Sequence, residues 1–289
     1  MRDPPPDPAL YHPCFNQDDA DIVLASCERS RVLFRLHSFT LRTTSGWFRS
    51  MLSLPQAQPP HSPREADILY LDEDATTLEH VFRMVSGLPI LPIASYDLID
   101  SILYASEKYD MPGPPSIVRT MVLGPTFLGQ PFRLYSIACR YGWDEEAKMA
   151  SERTLVHNIH AAEHKASLQK LPTSALLDIM HLHRERRELL RQRLDDPPFV
   201  PGGIATCVTC DELIDYHTWR ELKYKITLEM DTRPLGDTIL DHGLSQWPEA
   251  RACWRAKCPN VNCDRVLYDK AETSRVIREC MDNLPKTVP

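Results

Sequence analysis

The sequence predicts an α+β fold, and three observations carry that expectation. Two short apolar runs with alternating character lie between residues 21 and 37 and read as a hairpin. Apolar residues then recur at helical spacing through most of the chain up to about residue 195. Beyond residue 200 the pattern changes again, to paired cysteines on either side of one amphipathic helix. The architecture expected is a helix cluster flanked by a small sheet, then a helical extension, then a small cysteine-bearing C-terminal unit.

Taken in order, residues 1–17 are proline-studded and read as a disordered lead-in. Asp21-Ile22-Val23-Leu24 begins the first strand. A charged turn from Cys27 to Arg31 leads to a second, in which Val32, Phe34 and Leu36 alternate with Leu33, Arg35 and His37. Ser45 is placed to cap a helix carrying Trp47, Phe48, Met51 and Leu52, which Pro55 ends. A proline-rich loop runs to about Ala66, and Ile68, Leu69 and Leu71 make a third strand. Asp74 can cap a helix with Leu78, Val81, Phe82 and Val85 on one face, stopped at Gly87. Another helix starts near Ser95 and stacks Leu98, Ile102, Ala105 and Tyr109, ending at Met111-Pro112-Gly113.

From about 125 to 195 every segment reads as helix. Leu134, Ile137, Ala138 and Tyr141 form one stripe, stopped by Gly142; Asp144 and Thr173 are expected caps for the next two. The last of these carries Leu176, Ile179, Met180 and His183, and its second half, Arg184–Arg193, is rich in arginine. That half reads either as a nucleic-acid or partner contact or as a solvated face with Glu185 and Glu188 as charge mates; the latter is expected. Pro197-Pro198 marks a boundary. Past it, Trp219, Leu222, Ile226 and Met230 define one more helix.

Composition bounds the function. The 289 residues are 43% hydrophobic and 25% charged, enough to build a substantial core. The formal net charge of -7 argues against a global attraction to nucleic acid or anionic membrane. No stretch approaches the ~18 apolar residues of a membrane span. Met1-Arg2-Asp3 followed by prolines is no secretory leader, so an intracellular location, cytoplasm or nucleus, is expected. The nine cysteines are then thiols or metal ligands. There is no Gly-rich phosphate loop, no G-x-S-x-G elbow and no H-E-x-x-H, and no enzyme is expected.

One resemblance is specific. Asp21-Ile22-Val23-Leu24, Phe34-Arg35-Leu36-His37, then Leu41, Ser45, Phe48 and Met51-Leu52, the strand at Ile68–Leu71, the helix Leu78–Ser86, and Ala105-Ser106-Glu107-Lys108-Tyr109-Asp110-Met111-Pro112 follow one another as they do in the BTB/POZ family. Residues 18–115 resemble that domain. The chain is similar to the BTB proteins abundant in mushroom-forming fungi, in which a helical segment with Ala-Cys-Arg-Tyr-Gly-Trp, here Ala138–Trp143, often follows. Residues 125–196 resemble the helical BACK-like extension, and 200–289 form the remaining unit. The resemblance implies a protein–protein interaction module that self-associates, bridges substrates to a cullin-type ubiquitin ligase, or recruits transcriptional co-repressors in the nucleus.

Two departures qualify those roles. The amphipathic helix that precedes the first strand in dimeric members would fall on Pro4–Asp19, whose prolines at 4, 5, 6, 8 and 13 each cost about 3 kcal/mol in a helix interior. The apolar-x-Glu motif of cullin binders has no clear copy in Pro55–Ala66.

Two residue groups are candidates for a site. The resemblance implies that an acid and a base near Asp21, Arg35 and His37 shape a partner-binding groove. The same residues can equally be a structural pairing at the start of the domain, with His37 a hydrogen-bonder and not a catalytic base. Cys207-x-x-Cys210 and Cys258-x4-Cys263 can supply four thiolates to a structural zinc ion, with Cys253, His217 and His242 as spare ligands. Free thiols in a small core are the other reading, and a redox Cys-x-x-Cys lacks the strand–motif–helix setting it needs. Four protein ligands leave no open position, so an enzyme built on these cysteines has no support.

Overall fold

The computed structural model describes residues 10–54, 68–200 and 203–289. It is α+β, with helices predominating, and divides into two compact units, Met1–Gly129 and Gln130–Pro289.

In the first unit the expected hairpin forms from β2 (Ile22–Ala25) and β3 (Val32–Leu36), antiparallel with Ile22 opposite Leu36 and Ala25 opposite Leu33. A short β1 (Leu10–Tyr11) lies parallel to β3 on the outer side, and β4 (Ile68–Tyr70) lies parallel to β2, giving the order β1-β3-β2-β4. Residues 10–17 of the lead-in expected to be disordered are ordered. The reason is apolar: Phe15 is buried and meets the rings of Phe34 and Phe82 at 5.7 and 6.0 Å. Residues 1–9, with most of the prolines set against a dimer helix, and 55–67, with the loop searched for a cullin motif, lie outside the described residues.

The helices of this unit are α1 (Ser38–Thr44), α2 (Gly46–Met51), α3 (Ala75–Val85), α4 (Tyr96–Lys108), α5 (Gly113–Met121) and α6 (Pro125–Leu128). The two expected caps, Ser45 and Asp74, form, and Ser95, near which a helix is expected to start, caps as well. The side chains of Ser45, Asp74 and Ser95 accept from the backbone N–H groups of Phe48, Thr77 and Leu98. Leu24, Phe34, Leu41, Phe48, Leu78, Val81, Phe82, Ile99 and Ile102 are fully enclosed and make the core. On α4 the buried face is centred on Ile99, Ile102, Leu103 and Ala105, with Leu98 at its margin.

Ser45 also ties two distant segments. Its hydroxyl donates to the Tyr109 carbonyl at 2.5 Å, and the Gly46 N–H donates to the Asp110 carbonyl at 2.9 Å. A Cβ at position 46 would fall 1.8 Å from an Asp110 carboxylate oxygen, so any side chain there would force the Asp110 carboxylate to move. Ser45→Ala removes a cap and strands a buried carbonyl, and is expected to cost about 2 kcal/mol in urea unfolding. A loss below about 0.5 kcal/mol would show that neither bond contributes.

Next to this tie, the buried Glu73 carboxylate accepts from the Tyr109 hydroxyl and from Lys108 Nζ, the latter at 2.8 Å. It joins the entry of α3 to the end of α4.

The second unit starts with α7 (Pro131–Tyr141) and α8 (Asp144–Thr154), packed against each other through a turn at Gly142, whose φ of 65° is the left-handed conformation that ends a helix. A 3-10 turn (Ala162–His164) and α9 (Lys165–Leu168) lead to the long α10 (Thr173–Arg193). Asp144 and Thr173 are the first helical residues and not the caps, which are Trp143 and Pro172. Asp144, Glu145 and Glu146 in the first turn instead suit the positive end of the helix dipole.

The buried face of α10 is Ala175, Ile179, Leu182, His183, Arg186 and Leu190, turned from the expected stripe so that Met180 points outward. The arginine-rich half is only partly a solvated face. Arg187 and Arg191 pair with Glu188, and Arg187 also reaches Asp231. Arg186, however, is 2% exposed and donates to four backbone carbonyls: Pro234 (2.8 Å), Leu235 (3.3 Å), Leu284 (3.4 Å) and Pro285 (2.6 Å). Burial pushes its pKa down to about 10, which leaves it charged at neutral pH.

His183, one turn before it, is held in a single tautomer. The Thr154 hydroxyl donates to the Ser151 carbonyl at 2.6 Å, so its oxygen accepts from His183 Nε2–H at 2.9 Å and Nδ1 is bare. Burial, with Arg186 nearby, pushes the His183 pKa from 6.5 down to about 4. The unfolded chain therefore takes up this proton near pH 6.5 and the folded chain only near pH 4. Stability is full above that window and falls as pH drops through it, by roughly 3 kcal/mol at most. Unfolding free energies of the wild type and His183→Gln, compared from pH 7 to pH 4, should converge as pH falls; a constant difference would rule this out.

The rest of the unit is β5 (Ile204–Thr206), β6 (Leu213–Asp215), α11 (His217–Thr232), a π turn (Ile239–Gly243), α12 (Leu244–Gln246), α13 (Pro248–Arg255) and α14 (Lys270–Asp282). The four expected residues of α11, Trp219, Leu222, Ile226 and Met230, are its buried ones. Leu190 and Leu194 share their core with Trp219, Cys253 and Ile277. No unit boundary falls at Pro197-Pro198: residues 130–289 are one compact unit, in which Leu190 and Leu194 at the end of α10 share the C-terminal core, and α5 and α6 belong to the first unit. Among the described residues no helix is long and apolar enough to cross a membrane.

Candidate metal centre

Two loops with the same layout bring four cysteines together. In the first, β5 and β6 pair antiparallel from Ile204 opposite Asp215 to Thr206 opposite Leu213, and the chain between them turns at Cys207–Glu212. The Cys207 N–H donates to the Glu212 carbonyl at 2.7 Å, and the Asp211 N–H to the Cys207 carbonyl at 2.9 Å. In the second, Lys257 and Val266 form an antiparallel bridge, the Cys258 N–H donates to the Arg265 carbonyl at 2.8 Å, and the Cys263 N–H to the Asn260 carbonyl at 2.9 Å. Asn260 Oδ1 also accepts from the Asn262 N–H, tightening the longer loop.

Each loop is closed by an aspartate straight after its second cysteine, Asp211 at φ 57° and Asp264 at φ 46°. Aspartate tolerates the left-handed region better than most residues, and that conformation reverses the chain so that both sulfurs of a loop face one point.

The sulfurs meet across the loops. Cys207 Sγ lies 3.8 Å from Cys263 Sγ, Cys210 Sγ lies 3.6 Å from Cys258 Sγ, and all four sit within 4.8 Å of one another. A tetrahedral ion with metal–sulfur bonds of ~2.3 Å requires sulfurs ~3.8 Å apart. The site has the donor set and the size to hold such an ion. Cys207 and Cys258 are buried, and Cys210 and Cys263 half-buried.

The electrostatics favour thiolate at one corner. The Thr209 amide, helped by Arg265, whose Nη1 stands 3.7 Å from Cys207 Sγ, pulls the Cys207 thiol down to about 6. Burial pushes Cys258 up. Four thiolates on one ion would fill its coordination shell and leave no position for a substrate or water, so the arrangement can brace two loops but offers no Lewis acid to a reaction.

The spare ligands lie elsewhere. Cys253 is buried in the α11–α13 core, where desolvation pushes its thiol up to about 12, and it packs as a small hydrophobe. His217 faces the Asp215 carbonyl, and His242 sits in the π turn; neither joins the cysteine group. Arg265 and the two aspartates were not singled out from sequence, although the repeated Cys-Asp dipeptide at 210–211 and 263–264 was available as a signal.

In the other candidate group each residue is tied to its own near neighbours, and the His37 charge also acts on Asp21. Asp21 accepts from the Ser38 N–H and hydroxyl, both at 2.6 Å, and so anchors the start of α1. Hydrogen bonds from Ser38 hold its pKa below the usual carboxylate range against the opposing effect of burial. Arg35 reaches Asp18 at 3.0 Å and stacks 4.3 Å over the Tyr11 ring. His37 lies 3.3 Å from Gln17 Oε1 and 3.9 Å from Asp19. Each of the three thus has its own partner.

No protein-family model matches the chain, and no curated protein matches it either.

Proposed function

We propose that the chain is a protein–protein interaction protein whose N-terminal unit is a BTB/POZ-type module and whose C-terminal unit is braced by a structural zinc ion on Cys207, Cys210, Cys258 and Cys263. The observation that carries the first part is element order. Within Met1–Gly129 the hairpin β2–β3, the short helices α1 and α2, the strand β4 and the helices α3 and α4 succeed one another in the family's sequence, on a small sheet with β2 between β3 and β4. The second part rests on four sulfurs within 4.8 Å of one another in two loops of matching layout.

Among the roles open to such a module, adaptor to a cullin-type ubiquitin ligase is the one we put forward for test. The full chain, immobilised beside an established cullin adaptor, should retain cullin, and its mass in solution should show whether it self-associates. Recovery of cullin by the control alone would remove the adaptor role. A strictly monomeric chain that also captures no protein after cross-linking would remove the interaction reading.

A further inference from the structure

The second unit contains a cavity of about 450 Å³ between α10, the residues that follow α8 and the end of α11. That is the size of a small-molecule site, where sites of roughly 300–1,000 Å³ are usual. Part of its lining is apolar: Ile159 is buried, while Leu177 and Met180 are 61% and 43% exposed although they are large hydrophobes on a helix, and His160 and His181 stand beside them. Its charged lining is Arg184, Arg187 and Asp231, a net positive set in a chain of net charge -7. Arg187 and Asp231 pair with each other. The Arg184 guanidinium has no hydrogen bond or ion pair among the described residues.

The floor carries His183, 5% exposed, whose Nε2–H is committed to Thr154 and whose Nδ1 has no partner. This lone pair is closed to solvent in the ligand-free chain, so a bound group reaches it only with a side-chain movement. It favours a ligand that also bears an N–H over one that does not, because an unpaired buried acceptor gains from any donor.

We propose that this cavity binds a small organic anion: an apolar body seated on Ile159, Leu177 and Met180, with a carboxylate, sulfonate or phosphate placed on Arg184. The site is independent of the cysteine centre and of the interaction module.

Two dyes that share one apolar body test it on the full, metal-loaded chain. 8-Anilinonaphthalene-1-sulfonate has the anion and an N–H; N-phenyl-1-naphthylamine lacks the sulfonate. The sulfonated dye should bind saturably at one site. Arg184→Ala should weaken it about tenfold, the scale of one charged hydrogen bond, and leave the uncharged dye within about twofold. Met180→Trp, which fills the cavity from an exposed position, should abolish both. Circular dichroism of both variants should match the wild type. No saturable binding by the wild type, or sulfonated-dye binding unchanged in both variants, would overturn the proposal. So would equal losses of the two dyes in Arg184→Ala, since the cavity would then not recognise the anion.

Discussion

Cys258→Ser is expected to cost the chain its zinc and to unfold the two loops at 207–212 and 258–263 while Met1–Gly129 stays folded. Serine supplies no thiolate, and three cysteines cannot complete the tetrahedron. Binding free energy at structural zinc sites is folding free energy, on the order of 10 kcal/mol or more, and little else holds these loops: β5 and β6 are three residues each and the second loop has a single bridge. Elemental analysis of freshly purified reduced protein should find one zinc per chain in the wild type and in Cys253→Ser, and none in Cys258→Ser after dialysis. Hydrogen exchange should show lost protection at the Cys207 and Cys258 amides in that variant. Wild-type protein without zinc, or Cys258→Ser with a full complement, would refute the site.

Arg186→Ala should be the most damaging single change outside the cysteines. Removing the guanidinium strands the carbonyls of Pro234, Leu235, Leu284 and Pro285 and opens a void beneath them. Each buried carbonyl left without a donor costs about 1–3 kcal/mol, so a loss of several kcal/mol is expected. Arg186→Lys should recover little, because one ammonium cannot span carbonyls that lie on two separate segments. Denaturant midpoints of the three proteins check this; a lysine variant as stable as the wild type would mean that charge alone, and not the forked geometry, is what the site needs.

How much of this was legible in the sequence depended on whether the deciding interaction was local. The caps at Ser45, Asp74 and Ser95 answer to amides three residues away, so a cap followed by an apolar period was enough to place α2, α3 and α4. The four buried residues of α11 were legible for the same reason. Helix α1 gave no periodic signal because Leu41 is its one buried residue and Phe39 is exposed. β1 escaped because two residues cannot alternate visibly, and its partner lies more than twenty positions on. Arg186 was read as part of a solvated face because its acceptors lie 48 to 99 residues away, and a charge pattern carries no trace of distant carbonyls.

The cysteine site was half legible. The pairs and their chemistry stood in the sequence, but what joins them did not: α11 to α13 fold between the loops and return the chain to its starting point. Asp21, Arg35 and His37 each hydrogen-bond close by, to Ser38, Asp18 and Gln17, as the structural-pairing reading expects.

The separation of the two cysteine loops also sets an order of events during synthesis. Cys210 and Cys258 are 48 residues apart in the chain. At ~5–20 residues per second, Cys207 and Cys210 wait roughly 2–10 s before their partners have been translated. Through that interval a metal ion can be held by two thiolates at most, and α11 has time to collapse onto α10 before the second loop arrives. If the proposed zinc site is right, metal capture would be a late step, closing the clasp only after the second loop has been made.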